Sequence, residues 1–139
     1  ITIHLPGQAR ERSCREMLEI YSQRLSNRNI KITSHSSKKT LQQYYDEINN
    51  NATLFILDEG GEQYTSRQFA DLVKTWTIAT EDINLAIGPV DGWQKINHSV
   101  KRTISLSNMT MPHELAAVIL AEQVYRATEI IKGTKYHRG

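Results

Sequence analysis

The 139-residue chain has one cysteine, Cys14, so no internal disulfide can staple it, and a reducing compartment suits it. It has no stretch near the roughly 18 consecutive apolar residues that a membrane span needs. Its start, Ile1-Thr2-Ile3-His4-Leu5, lacks the charged-then-apolar order of a secretory signal, and because the first residue is not Met, a preceding segment in the natural chain stays open. A cytoplasmic location is the expectation. The five histidines, His4, His35, His98, His113 and His137, show no H-x-x-x-H or Cys/His spacing, so no metal site is expected. The P-loop, the G-x-G-x-x-G turn and the G-x-S-x-G nucleophile elbow are also missing, which excludes those nucleotide and hydrolase classes. A net charge of +2 does not by itself announce a nucleic-acid partner. There is no repeat, low-complexity segment or linker, and the length suits a single domain over residues 1–139.

What is present is an alternation of strands and helices. Ile1 to Leu5 reads as a strand closed by Pro6-Gly7, and from Ala9 to Leu25 the residues Cys14, Met17, Leu18, Tyr21 and Leu25 form one apolar stripe of a helix. Ile30 to Ser34 alternates as a second strand, and Leu41, Tyr44, Tyr45 and Ile48 mark a helix ending at Asn49-Asn50-Asn51. Thr53 to Leu57 is an apolar run of strand length, broken by Asp58-Glu59-Gly60-Gly61. Thr65 or Ser66 can cap a helix with the face Phe69, Leu72, Val73 and Trp76, and Ile83 to Ile87 is a further buried strand ending at Gly88-Pro89. Trp93 to Val100 is expected as a short helix and Thr103 to Leu106 as a last strand. The order predicts an α/β fold, a mainly parallel sheet with helices on both faces.

The last helix, from Pro112 at its first position to Lys132 with Gly133 beyond, spans about 30 Å at 1.5 Å per residue. Within it Leu115 to Ala121 is apolar all round the axis, so it needs cover on more than one side. The sheet can supply one cover and a second subunit the other, which predicts a homodimer. Beyond it, Ile130 to Gly139 carries Lys132, Lys135, His137 and Arg138 and no acid; the patch suits phosphate, and a solvated tail is the alternative.

Three strand-end loops hold the remaining chemistry: Leu57-Asp58-Glu59-Gly60-Gly61, Ile87-Gly88-Pro89-Val90-Asp91-Gly92 and Leu106-Ser107-Asn108-Met109-Thr110-Met111-Pro112. Ligands of open α/β sheets bind beyond the carboxyl ends of strands. In order, these loops, followed by Ala121-Glu122-Gln123-x-Tyr125-Arg126-Ala127 and Ile130-Ile131-Lys132-Gly133-x-x-Tyr136-His137-Arg138, make the chain resemble the RlmH ribosomal RNA methyltransferases of the SPOUT class from Leu54 to the terminus. The chain departs from that family at Pro89, where a second glycine is usual.

The resemblance implies an α/β trefoil knot and a methyltransferase that uses S-adenosyl-L-methionine on N3 of a pseudouridine in large-subunit ribosomal RNA. It implies that Leu57, Gly88, Leu106, Ser107, Asn108, Met109, Thr110 and Met111 hold the cofactor, a pocket that needs no charged residue. It implies that Tyr136, His137 and Arg138 form the substrate end, reaching across a dimer: Tyr136 to stack on a base, His137 to orient a uracil-like edge or accept its proton, Arg138 to engage phosphate. Bulk water is the other candidate proton acceptor. His113 and Arg126 rank second as site residues. Met109 and Met111 as plain core filling, an RNA- or ribosome-binding module on the same fold, and a dimeric scaffold are the alternatives. Assembled ribosomes or ribosomal RNA are the expected partners.

Overall fold

The computed structural model describes residues 1–96, 100 and 102–139. Among these, five strands, β1 (Thr2–Leu5), β2 (Lys31–Ser34), β3 (Ala52–Gln63), β4 (Asp82–Ala86) and β5 (Thr103–Ser105), alternate with helices α1 (Arg12–Ser26), α2 (Leu41–Asn49), α3 (Ser66–Thr77) and α4 (His113–Lys132). The strands form one sheet in the order β2-β1-β4-β3-β5, and each neighbouring pair is parallel. The period-two alternation of the strands divides the core. Ile3, Leu5, Leu57, Ile83 and Leu85 pack toward α1, α3 and α4, while Leu54, Ile56 and Ala86 pack toward α2. Each fully buried Leu or Ile of these layers contributes about 1.5–3 kcal/mol.

Helix starts follow local chemistry. Thr40 and Thr65 each accept the backbone N–H of a glutamine three residues on, and Gln43 and Gln68 reciprocate to the cap's own N–H. Helix α1 begins at Arg12, three residues later than the stripe suggested, because the Arg15 guanidinium donates to the carbonyls of Ala9 and Arg10 and ties them outside the helix. Pro112 is the cap of α4 rather than its first residue. Gly133 closes α4 in the left-handed conformation, φ 74°, as its place in the sequence predicted.

Strand β3 does not stop at Leu57. Leu57 and Glu62 both register with Ile104 of β5, and residues 58–61 bulge between them. Gly61 permits this: a Cβ there would lie 2.8 Å from backbone atoms of Thr103 and Ile104. The glycines read as a break therefore serve as a point of close backbone approach. The helix expected over Trp93 to Val100 is a single turn, Trp93–Lys95; residues 97–99, including His98, lie outside the described residues. The apolar run of α4 is covered largely within the chain, since α4 packs against both α1 and α3. What remains open of it is Leu115, 43% exposed, with half-buried Ala116 and Ile119.

Candidate functional site

A cavity of about 250 Å³ opens beside the bulge of β3 and beyond the carboxyl ends of β4 and β5. The loop after β4 builds one wall. Gly88 lies under the Trp93 indole, which leaves no room for a Cβ, and the Trp93 ring N–H donates to the buried carbonyl of Leu57 at 2.9 Å. That bond ties the loop after β4 to β3. Pro89 accepts the Gly92 N–H at 2.9 Å, closing a turn that uses only the proline carbonyl, and Gly92 takes φ 79°.

The loop after β5 builds the opposite wall. The Ser105 hydroxyl sits between the carbonyls of Glu59 and Ser107 at 3.0 and 2.9 Å, and Ser107 Oγ accepts the Met109 N–H at 3.0 Å. Thr110 donates to Glu59 Oε2 at 2.5 Å, a charge-assisted bond across the cavity rim. Of the eight residues expected to line this site, Leu57, Gly88, Leu106, Ser107, Met109, Thr110 and Met111 do so; Asn108 instead accepts a hydrogen bond from Gln63 at 2.7 Å.

The expectation of a pocket without charge is corrected. Asp58, Glu59 and Asp91 all contribute to the wall, with His113 beside them. Asp91 is paired with Lys95 at 3.1 Å, and among the described residues Asp58 and Glu59 have no cationic partner. Reading the motif as apolar side chains plus glycine missed these carboxylates and Trp93, although each lay within two of the quoted loops or just past them. The apolar part is open to solvent: Met109 is 78% and Val90 79% exposed. Isolated apolar side chains at a pocket mouth suit contact with a flat, partly apolar group.

The terminal residues stand apart from this cavity. Tyr136 donates to Glu122 at 3.1 Å, Arg126 lies over its ring at 4.9 Å, and Tyr125 packs edge-on at 5.0 Å. Burial, the neighbouring Tyr21 and Glu122 push the Tyr136 phenol up to about 12. Arg126, held to Glu122 at 2.6 Å, also meets His137 Nδ1 at 3.1 Å. Arginine only donates, so Nδ1 is the acceptor in this contact and Nε2 is the ring's other edge. Arg138 is exposed. The α4 residues that anchor this cluster lie about 14–20 Å along the helix from His113 at the pocket. Tyr136 and His137 thus pack on their own chain's α4, Arg138 follows them exposed, and none of the three lines the cavity.

No group of three or more His, Cys, Asp or Glu residues among the described residues is arranged to hold a metal ion. No helix among them is long and apolar enough to cross a membrane.

Comparison with known proteins completes the picture. Residues 1–137 match the family model described as "Predicted SPOUT methyltransferase". The ribosomal RNA large subunit methyltransferase H of Prochlorococcus marinus strain SARG is 37% identical over 134 residues, 95% of this chain and 91% of that protein. The protein of the same name from Prochlorococcus marinus strain MIT 9303 is 35% identical, covering 96% of this chain and 89% of its own. That of Laribacter hongkongensis is 43% identical over 88 residues, 63% of this chain and 56% of that protein.

Proposed function

Since this chain belongs to the SPOUT methyltransferase family, we propose that it is an S-adenosyl-L-methionine-dependent methyltransferase of large-subunit ribosomal RNA, acting on N3 of a pseudouridine. The observation that carries this reading is the convergence of three sequence-distant segments, the β3 bulge and the loops after β4 and β5, on one cavity. The residues fit such a cofactor. Leu57, Leu106, Met109 and Met111 offer apolar walls to an adenine, backbone of the loops after β4 and β5 offers donors and acceptors, and Asp58 and Glu59 match the positive charge of a sulfonium and an ammonium. When bound, S-adenosylmethionine supplies an electrophilic methyl group.

The protein's own part is alignment, which is worth roughly 7–11 kcal/mol where two reactants are held in attack geometry. In the arrangement described, the free edge of His137 is the Nε2–H donor, suited to a uracil carbonyl. Freed from Arg126, its Nδ1 is an acceptor for the N3 proton; otherwise the proton passes to water. Arg138, exposed and without a side-chain partner among the described residues, meets a phosphate, and Tyr136 presents its ring edge to a base. Because these residues do not line their own chain's cavity, a two-fold dimer is part of the proposal, with Leu115 and Ile119 in the interface and the tail of one chain completing the partner's pocket. A ribosomal substrate puts the work in the cytoplasm.

The test is methyl transfer from labelled S-adenosylmethionine to ribosomes prepared from cells lacking this enzyme, with reverse transcription to locate the block that an N3-methyl group creates. Incorporation at one large-subunit pseudouridine is expected. Saturable cofactor binding with no transfer to any ribosomal particle would refute the enzyme and leave an RNA- or ribosome-binding module.

A further inference from the structure

Beside the cofactor cavity runs a second, larger groove of about 1120 Å³, between the turn after β1, the start of α1 and the segment after β2. The two share a wall, since Pro89, Val90 and His113 line both. Its charge is of the opposite kind. Arg10 and Arg15 face it, with the hydroxyls of Ser34, Ser36 and Ser37, and its one carboxylate, Glu114, is engaged by the Glu11 N–H at 3.0 Å.

The two arginines differ in a useful way. One nitrogen of the Arg15 guanidinium is committed to the carbonyls of Ala9 at 3.3 Å and Arg10 at 2.7 Å, which orients the plane and leaves the rest of the fork for a ligand. Arg10 is exposed and bonds no other side chain among the described residues. An oriented guanidinium, an uncommitted one and a row of hydroxyls form a surface for successive phosphates, because each supplies donors and none supplies an acceptor charge. The acidic cavity next door repels phosphate, so the charge boundary at Pro89, Val90 and His113 separates a place for a cationic small molecule from a place for a polyanion.

We propose that this groove holds the RNA backbone flanking the target nucleotide, with Arg10 and Arg15 as phosphate ligands, leading the chain over the shared wall to the cofactor cavity. The inference rests on the proposed function for its substrate and is independent of the terminal Tyr136-His137-Arg138 cluster, which sits elsewhere on α4.

Two readouts test it, each on the full chain. The first is the salt dependence of binding to a fluorescein-labelled single-stranded RNA 20-mer, measured by anisotropy. The second is the KM and kcat for ribosomal particles. Arg10→Gln, which breaks no internal bond, should weaken RNA binding about three- to tenfold and reduce the slope of log K against log salt by about 0.7; Arg10→Gln with Arg15→Gln should remove about 1.4. The KM for particles should rise with kcat and cofactor affinity unchanged, and Arg10→Lys should recover most of the loss. If Arg15→Gln loosens the start of α1, seen as a lower melting temperature, Arg10→Gln alone carries the test. An unchanged slope and an affinity within twofold overturn the proposal. So does a defect on ribosomal particles with normal binding of naked RNA, which would assign the groove to a ribosomal protein. Absence of methyl transfer by the unmodified protein would instead defeat the proposed function, and the RNA-binding arm would still decide the groove.

Discussion

Adding one methyl group at Gly88 should both destabilise the fold and damage the cofactor cavity. A Cβ at residue 88 would lie 2.7 Å from Trp93 Nε1 and 3.1 Å from two further atoms of the indole, so the ring must move. Trp93 is 4% exposed and its N–H bonds the Leu57 carbonyl, so the movement breaks a buried hydrogen bond between the two loops. Overpacking costs about 1–3 kcal/mol and an unsatisfied buried pair a further ~1–3 kcal/mol. Partial relaxation couples the two, and a total of about 2–4 kcal/mol is expected. For a chain of this length the unfolding entropy is roughly 290 cal/mol/K, so ~3 kcal/mol lowers the melting temperature by about 10 °C. Urea unfolding followed by tryptophan fluorescence measures it. Gly7→Ala is the control, because a Cβ there meets nothing within 4 Å, and it should be neutral or slightly stabilising. The cause is checked by coupling: with Trp93→Phe already present, Gly88→Ala should cost distinctly less than in the unaltered chain. A loss for Gly88→Ala below ~0.5 kcal/mol, or strict additivity with Trp93→Phe, would refute the reasoning.

Glu59→Gln should weaken S-adenosylmethionine about threefold, from ~0.7 kcal/mol for a unit charge about 6 Å away in a near-aqueous dielectric, and weaken S-adenosylhomocysteine less, since it keeps the ammonium but lacks the sulfonium charge; equal losses in calorimetry would show that Glu59 does not act on the sulfonium. Burial holds His4 and His35 below the usual 6.5, with Lys39 adding to the effect at His35, so the folded state disfavours their charged forms. Stability is then fully present above 6.5 and falls as the pH drops through that value, and His4→Gln should flatten the change between pH 7.5 and 5.5 in denaturation curves. Tyr125 above all, then Thr134 and Arg28, hold the buried Glu129 carboxyl below its ordinary 4.5, so its stabilisation is present above 4.5 and lost as pH falls through the depressed value. Glu129→Gln should cost about 1–3 kcal/mol at pH 7 and markedly less at pH 3 in thermal melts. Mixed dimers of Thr110→Arg and Arg138→Ala chains should recover methyl transfer that each homodimer lacks, and failure despite proven mixing would mean that one chain builds each site.

The parts of the fold legible in the sequence were those with a period. Leu18, Tyr21 and Leu25 of α1, and Phe69, Val73 and Trp76 of α3, are buried where a 3.6-residue stripe requires. The two-sided burial of β3 follows from the unbroken apolar run Leu54 to Leu57, whereas in β4 the run is interrupted by Asn84, whose side chain donates to the Ile48 carbonyl at 2.8 Å. What escaped was set by partners distant in the chain. Glycines at 60 and 61 look like a strand break to any local rule, and only the arrival of β5 more than forty residues later turns them into a close approach within a longer strand. Likewise the apolar run of α4 asked correctly for a second cover, but α1 and α3 supply much of it, because the helices of that face lie side by side.

The site divides along the same line. The eight residues proposed for the cofactor were named through the family resemblance, and seven of them converge on one cavity. Asn108 was not separable from its neighbours in that way, since its direction is decided by Gln63 on β3. Charge was the larger omission. Asp58, Glu59 and Asp91 are ordinary turn residues in sequence, and their number in the wall matters only after Lys95 is seen to cancel one of them. The acidic remainder gives the cavity a sign, and the arginine groove across Pro89 and Val90 has the other. A net charge of +2 conceals both, because opposite fields on adjacent surfaces cancel in the sum while each still acts within a Debye length of about 8–10 Å. Composition therefore argued neither for nor against a nucleic-acid partner, and in the proposed reading it is the separation of charge between two contiguous surfaces that lets a cationic methyl donor and a polyanionic acceptor lie side by side.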